Sequence, residues 1–359
     1  MMKQNMKNNN LNNIIDIHND LASNVLDATG KDITKRYGLY DGIPQIPGVV
    51  AHNNVDIPRL KEGNVKLIFA TIFALDEISL NEMKITCTES YNFSKFAGMT
   101  YGIESARKQM AYYQDVLQKH ADQLTLITNY SEYVSTIDSS KIGLLLHLEG
   151  IDYIDENLTL LDEFYSLGVR SLALTWRNNT IFASGNNSTG GLTILGEKLV
   201  RTAQEMGIFI DLAHSNEQTF WDLVKIVRAP VVVSHTLCKS ICDVSRNLND
   251  DQIKSIANLD GVIGLAAIPE YIGGNSIKDY VNHFKHIINL VGEDYVCFGT
   301  DFDGLVGADD TFIDNFDGSD KFPNVINGLI KAGFSKLTIS KICHKNIERV
   351  MKEVLKNGN

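Results

Sequence analysis

Short apolar runs rich in β-branched residues alternate along the chain with longer stretches whose apolar positions recur every three to four residues. The runs are 14–18 (IIDIH), 66–74 (KLIFATIFA), 141–149 (KIGLLLHLE), 170–176 (RSLALTW), 208–214 (IFIDLAH), 230–235 (PVVVSH), 261–269 (GVIGLAAIP) and 295–301 (YVCFGTD). They are continuous, not alternating, which is the pattern of strands buried on both faces of a parallel sheet. A shorter run at 124–127 (LTLI) predicts a small extra strand in the long second connection. The intervening patterns predict helices over 103–121, 157–167, 195–206, 216–227, 249–259 and 276–291, and a closing helix over 335–356. Asn216 is placed to cap the helix at 216–227, and Phe220, Leu223 and Val224 share one of its faces.

Repeated strand–helix units of this kind predict an α/β fold, a (β/α)8 TIM-type barrel in a single domain. The rival, an open doubly wound sheet, calls for a glycine-rich phosphate turn. No GxGxxG or GxxxxGK[ST] follows any of the runs. The Asn-rich segment 1–13 reads as a frayed N-terminal tail, so the barrel is assigned to 14–359.

Composition narrows the function class. With 44% hydrophobic and 21% charged residues, the 359-residue chain has the make-up of a soluble globular protein. Its 33 Lys and Arg against 44 Asp and Glu give a formal charge of −11, which argues against nucleic acid or an anionic membrane as partner. No apolar stretch approaches the roughly 18 residues of a membrane span. The first residues lack the apolar core of a signal peptide, and the expectation is a cytoplasmic protein. The cysteines at 87, 238, 242, 297 and 343 make no disulfide framework and read as reduced thiols, with Cys238 and Cys242 spaced for one helix face.

The candidate chemistry is positional. His18 and Asp20, Glu149, His214, His235 and Asp301 all fall at or just after the ends of predicted strands. In a parallel barrel those ends open on one face, where barrel active sites lie. His18 and Asp20 are two apart and can aim at one ion, and imidazole with carboxylate suits a first-row divalent metal. Glu149 follows a run of leucines, a costly place for a carboxylate unless it is paired or metal-bound, and its two oxygens can bridge two ions. Together with His214 and His235 the ligands are too many for one tetrahedral ion with an open position, and they fit two. Asp301 is then free to move protons, with Asp303 the weaker candidate. His147 reads as a packed core histidine and Asp211 as a partner to a metal-bound imidazole. His52, His120, His283, His286 and His344 read as surface residues or as support behind the site.

These stretches resemble the membrane (renal) dipeptidase family of zinc dipeptidases, within the metal-dependent amidohydrolase-like barrels. The resemblance is carried by DIHNDL (16–21), DIPRLKEGNV (56–65), HLEG (147–150), DLAHSNEQTFWDLV (211–224), APVVVSHTLCKSICDVSRNLNDDQI (229–253) and FGTDFDG (298–304), in the family's order. It implies a metallo-dipeptidase that cleaves L-Xaa-L-Xaa or L-Xaa-D-Xaa dipeptides by a metal-bridging hydroxide. It implies two zinc ions, one on His18 and Asp20, the other on His214 and His235, with Glu149 bridging. Asp301 matches the family's catalytic Asp, and Arg246 the arginine that grips the substrate's C-terminal carboxylate. Tyr271 falls where the family places a tyrosine near the same group. By analogy the enzyme forms a homodimer. One position departs: the family's L-T-H-N reads Leu174-Thr175-Trp176-Arg177-Asn178 here. Trp176 can donate a hydrogen bond but cannot accept a proton, so it is a candidate substrate-contact residue that alters the range, with Arg177 or Asn178 supplying polarity. This keeps open a different amide or lactone hydrolase on the same barrel.

Overall fold

The computed structural model describes residues 13–22, 32–39, 41, 53–74, 101–304 and 312–356. Nine parallel strands form its sheet: β1 (Ile14–Asn19), β2 (Val65–Phe73), β3 (Leu124–Leu126), β4 (Ile142–Glu149), β5 (Val169–Ala173), β6 (Phe209–Asp211), β7 (Val232–Thr236), β8 (Val262–Leu265) and β9 (Val296–Phe298). The order is β2-β1-β9-β8-β7-β6-β5-β4, and β2 also pairs with β4, from Leu67 opposite Gly143 to Phe73 opposite Glu149. That pairing closes an eight-stranded (β/α)8 barrel. β3 hangs on the start of β4, with Leu124 opposite Ile142, and is the predicted extra strand.

The helices among the described residues are α1 (Ile57–Glu62), α2 (Gly102–Lys119), α3 (Tyr130–Ile137), α4 (Thr159–Ser166), α5 (Ile194–Met206), α6 (Glu217–Ile226), α7 (Asp250–Asn258), α8 (Pro269–Ile272), α9 (Ile277–Val291), α10 (Phe322–Lys331), α11 (Lys336–Ser340) and α12 (Asn346–Val354). The Asn216 side chain caps α6 by accepting from Thr219 N–H. Asn249 and Ser276 form capping boxes on α7 and α9 with Gln252 and Asp279. The expected closing helix is α11 and α12 joined by a π turn at Lys341–Lys345. The proposed tail at 1–13 lies outside the described residues except Asn13, which is buried.

Two apolar layers hold the barrel. Outward-facing strand residues such as Ile68, Leu144 and Leu172 pack against the helices. Ile15, Ile17, Leu67, Phe69, Leu145, Phe209 and Val262 pack with Ile347, Val350, Met351 and Val354 of α12. These interior residues lie toward the strands' N-terminal ends, so α12 plugs that end. The opposite end remains for chemistry. Along β4 the alternation continues from Leu145 to His147 to Glu149, carrying the lining from apolar to polar over four residues. Beside the barrel, Tyr280, Phe284, Phe298, Phe302, Phe316 and Phe322 form a chain of mostly edge-to-face rings with neighbouring centroids 5.1–6.4 Å apart.

Candidate metal centre

The C-terminal ends of the strands bring together the six side chains singled out by position. His18 lies near the end of β1 and Asp20 just past it. Glu149 ends β4, His214 follows β6, His235 lies in β7 and Asp301 follows β9. All except Asp301 are buried residues. His18 Nε2 is 3.5 Å from Asp20 Oδ2, 3.5 Å from Glu149 Oε2 and 3.6 Å from Asp301 Oδ1. On the other side, Glu149 Oε1 is 2.9 Å from His214 Nε2 and 3.4 Å from His235 Nε2, and those two nitrogens are 2.9 Å apart. Glu149 therefore shows one oxygen to each group.

The spacings of 3.4–3.6 Å fit metal coordination, and the two 2.9 Å contacts of His214 Nε2 are tighter. Atoms about 2.0–2.2 Å from a tetrahedral ion lie roughly 3.3–3.6 Å from one another. The orphaned atoms agree: His18 Nε2 and Asp20 Oδ2 are buried without a hydrogen-bond partner, a costly state for polar groups. Burial, helped by the Arg246 charge, pushes His214 down to about 3, and burial also drives His235 down. Both are thus neutral imidazoles, the form that ligates. Burial would lower His18 as well, but Glu149, Asp20 and Asp301 outweigh it and raise it to about 10. Those carboxylates demand a positive charge at His18, which a metal ion can supply in place of a proton.

Backbone contacts set the rim. Asp16 accepts from Thr300 N–H at 2.8 Å and from its hydroxyl at 2.6 Å, and Asp301 N–H donates to His18 O at 3.1 Å. The first and last strands are thereby tied beside the site. His214 and Asp301 both have left-handed backbones, φ 61° and 62°, uncommon for side-chain-bearing residues and typical of functional positions.

A cavity of about 280 Å³ opens over these groups, lined in part by Trp176, Arg177, Arg246, Glu270 and Tyr271. Arg246 Nη2 is 3.1 Å from His235 O and 3.2 Å from His214 Nε2, and its guanidinium lies 6.0 Å from the Tyr271 ring centre. Trp176 packs edge-on to Phe73 at 4.8 Å, and Arg177 stacks on it at 4.4 Å. All four predicted substrate-side residues, Asp301, Arg246, Tyr271 and Trp176, thus border one space.

Other expectations were met or corrected. His147 is a buried core residue bonded to Ser171 Oγ at 2.9 Å, and Asp303 accepts from Asn54 N–H at 2.6 Å. His283 and His344 are buried, not surface, residues. His283 serves Cys238 N–H and Ile272 O, and His344 lies between Ser340 and Glu348. Cys238 and Cys242 do not share a helix face; they lie in the turns after β7. His52 lies outside the described residues. Sequence reasoning missed Ser234, the hydroxyl between the imidazoles; the available signal was a lone polar residue inside a buried valine run.

Residues 6–359 match the family described as membrane dipeptidase, peptidase family M19. The chain belongs to that family. A curated relative, dipeptidase verJ of Clonostachys rogersoniana, is 27% identical over 317 residues, covering 85% of this chain and 76% of the relative. An uncharacterised protein of the pqqA 5′ region of Klebsiella pneumoniae is 29% identical over 262 residues, 69% of this chain and 95% of its own length. Among solved structures, a metallopeptidase from Rhodobacter sphaeroides liganded with a phosphinate mimic of the dipeptide L-Ala-D-Ala superposes with TM-score 0.80 at 23% identity, over 95% of this chain and 99% of that one. The probable dipeptidase PvdM of Pseudomonas aeruginosa gives 0.79 at 17% identity, over 98% of each chain. This M19 member is a metal-dependent hydrolase of the dipeptidase class, and no helix among its described residues is long and apolar enough to cross a membrane.

Proposed function

We propose that this M19 enzyme hydrolyses the single peptide bond of dipeptides using two zinc ions, one held by His18 and Asp20, the other by His214 and His235. Glu149 serves both. The observation that carries the reading is the split of the Glu149 carboxylate, one oxygen facing each donor set. Paired divalent ions, when bound, supply Lewis acidity and a strong nucleophile from water at neutral pH.

The chain's own residues do the rest. Asp301 borders the cavity, and burial pushes its carboxyl up to about 6, against the opposing pull of the His18 charge. A carboxyl near neutrality can take a proton and return it to the leaving amine. Arg246 presents its guanidinium to the cavity and has no acidic partner among the described residues, so it can receive a substrate carboxylate as a fork. Tyr271 flanks that position, and its main chain is tied down by Asn247 Nδ2 at 2.7 Å. A carboxylate fixed so near the ions limits the substrate to very short peptides. The dipeptide mimic in the Rhodobacter sphaeroides neighbour supports including L-Xaa-D-Xaa substrates. A cytoplasmic location accords with the free, buried thiols of Cys238, Cys297 and Cys343. Trp176 on the cavity wall favours a second reading, an amide hydrolase of altered range.

The test is hydrolysis by zinc-loaded protein of L,L and L,D dipeptides, each with a free and an amidated C-terminus. Cleavage confined to free carboxylates, and abolished by chelator, is the expected result. Equal cleavage of amidated forms would dismiss the Arg246 clamp and put the second reading first.

A further inference from the structure

Two imidazoles assigned to different ions turn their far nitrogens to one side chain. Ser234 Oγ lies 3.2 Å from His18 Nδ1 and 2.8 Å from His235 Nδ1. The two rings are nearly stacked, with centroids 3.7 Å apart and planes 34° apart. Ser234 is fully buried, so water does not compete for these bonds. An imidazole that offers Nε2 to an ion carries its proton on Nδ1 and must donate it. Both rings are then donors, and a serine oxygen has two lone pairs to receive them. Asp211 lies beside this serine. Asp211 Oδ1 accepts from Ala213 N–H at 2.9 Å and Ser234 N–H at 2.8 Å, while its Oδ2, buried with no hydrogen bond, faces His147 Nε2 at 3.5 Å. Burial raises the Asp211 carboxyl, and the Ser234 hydroxyl pulls it back. The backbone at Ser234 is also pinned. A Cβ at Gly264 would lie 2.0 Å from Ser234 O, and one at Gly299 only 1.7 Å away. Neighbouring segments close on this residue as tightly as glycine allows.

We infer that Ser234 is a positioning residue common to both ion sites: its oxygen accepts Nδ1–H from His18 and from His235. One hydroxyl thereby fixes the tautomer and orientation of one imidazole at each ion. This rests on the di-zinc reading and adds to it a coupling between the sites that does not pass through Glu149.

The experiment is release of zinc from the loaded protein into a competing chelator, with Ser234→Ala and Ser234→Thr beside wild type. In Ser234→Ala both ions are expected to leave at about 10–100-fold lower chelator concentration. Ser234→Thr keeps the hydroxyl and is expected to hold both ions near the wild-type level. Cobalt-loaded Ser234→Ala should show altered visible bands for both sites, which a change in packing alone would leave in place. Weakening of one ion only, or of neither, overturns the inference while leaving the di-zinc reading intact. Nitrogen-15 NMR of zinc-loaded wild type needs no variant to fold: both Nδ1 atoms should carry protons, and an unprotonated Nδ1 on either ring overturns the hub. A wild-type protein that takes up no zinc removes the di-zinc reading and the hub with it.

Discussion

Gly299 follows β9 directly and lies against the backbone of Ser234 in β7. A Cβ built there would sit 1.7 Å from Ser234 O, 2.9 Å from its carbonyl carbon and 3.1 Å from Gly264 Cα. Real Cβ contacts do not fall below 3.0 Å, so Gly299→Ala must drive the two backbones apart by at least about 1.3 Å. No side chain can rotate away, because every one of these neighbours is main chain. Overpacking a core costs about 1–3 kcal/mol when side chains can adjust. A backbone-on-backbone overlap belongs at or beyond the top of that range, about 3 kcal/mol or more. Gly333→Ala is the matched control. Its φ is +89°, with nothing within 4 Å of the added Cβ, so it suffers only the left-handed backbone penalty of about 1–2 kcal/mol. Guanidinium denaturation of the metal-free proteins reads both values, and zinc retention reads whether the moved strand takes His235 with it. The overlap argument fails if Gly299→Ala lies within about 1 kcal/mol of wild type, or if the two variants cost the same.

Other outcomes follow from the site and the core. Asp301→Asn should lower kcat strongly while leaving zinc content nearly unchanged, as read by steady-state kinetics with metal analysis; full activity would remove Asp301 from the proton path. Arg246→Lys keeps the charge but loses the fork, and should cost about 10–100-fold in kcat/KM on free-carboxylate dipeptides, in line with a charge-assisted bond of about 1.5–3 kcal/mol. That variant should no longer distinguish free from amidated substrates as wild type does. Phe316→Ala empties a fully buried ring position among Tyr280, Phe302 and Phe322, and should destabilise by about 3–5 kcal/mol in the same denaturation assay.

The barrel was legible because its strands are buried on both faces, which writes them as continuous apolar runs. The helices α2, α4, α5, α6, α7 and α9 were legible from periodicity, and α6 also from its Asn216 cap. The helices α1 and α8, six and four residues long, carry too few turns for a period to show. The acidic and imidazole groups at strand ends stood out because burying them calls for a reason. Ser234 did not, since a serine inside PVVVSH looks like any tolerated small residue until the two Nδ1 atoms are seen around it. His283 sits in a helical pattern and its partners, Cys238 N–H and Ile272 O, come from elsewhere in the chain, while those of His344 lie one turn away on either side.

β1 and β9 pair as neighbours, and α12 seals the end of the barrel where β1 begins. In space the ring has no first strand. A circular permutant that joins the flanks of β1 and α12, and opens the chain in the turn at Asp138–Lys141 between α3 and β4, would keep every strand's neighbours. The groups around Glu149 would assemble as before, with Asp301 now translated ahead of His18. Chain order is then free to vary where strand order is not.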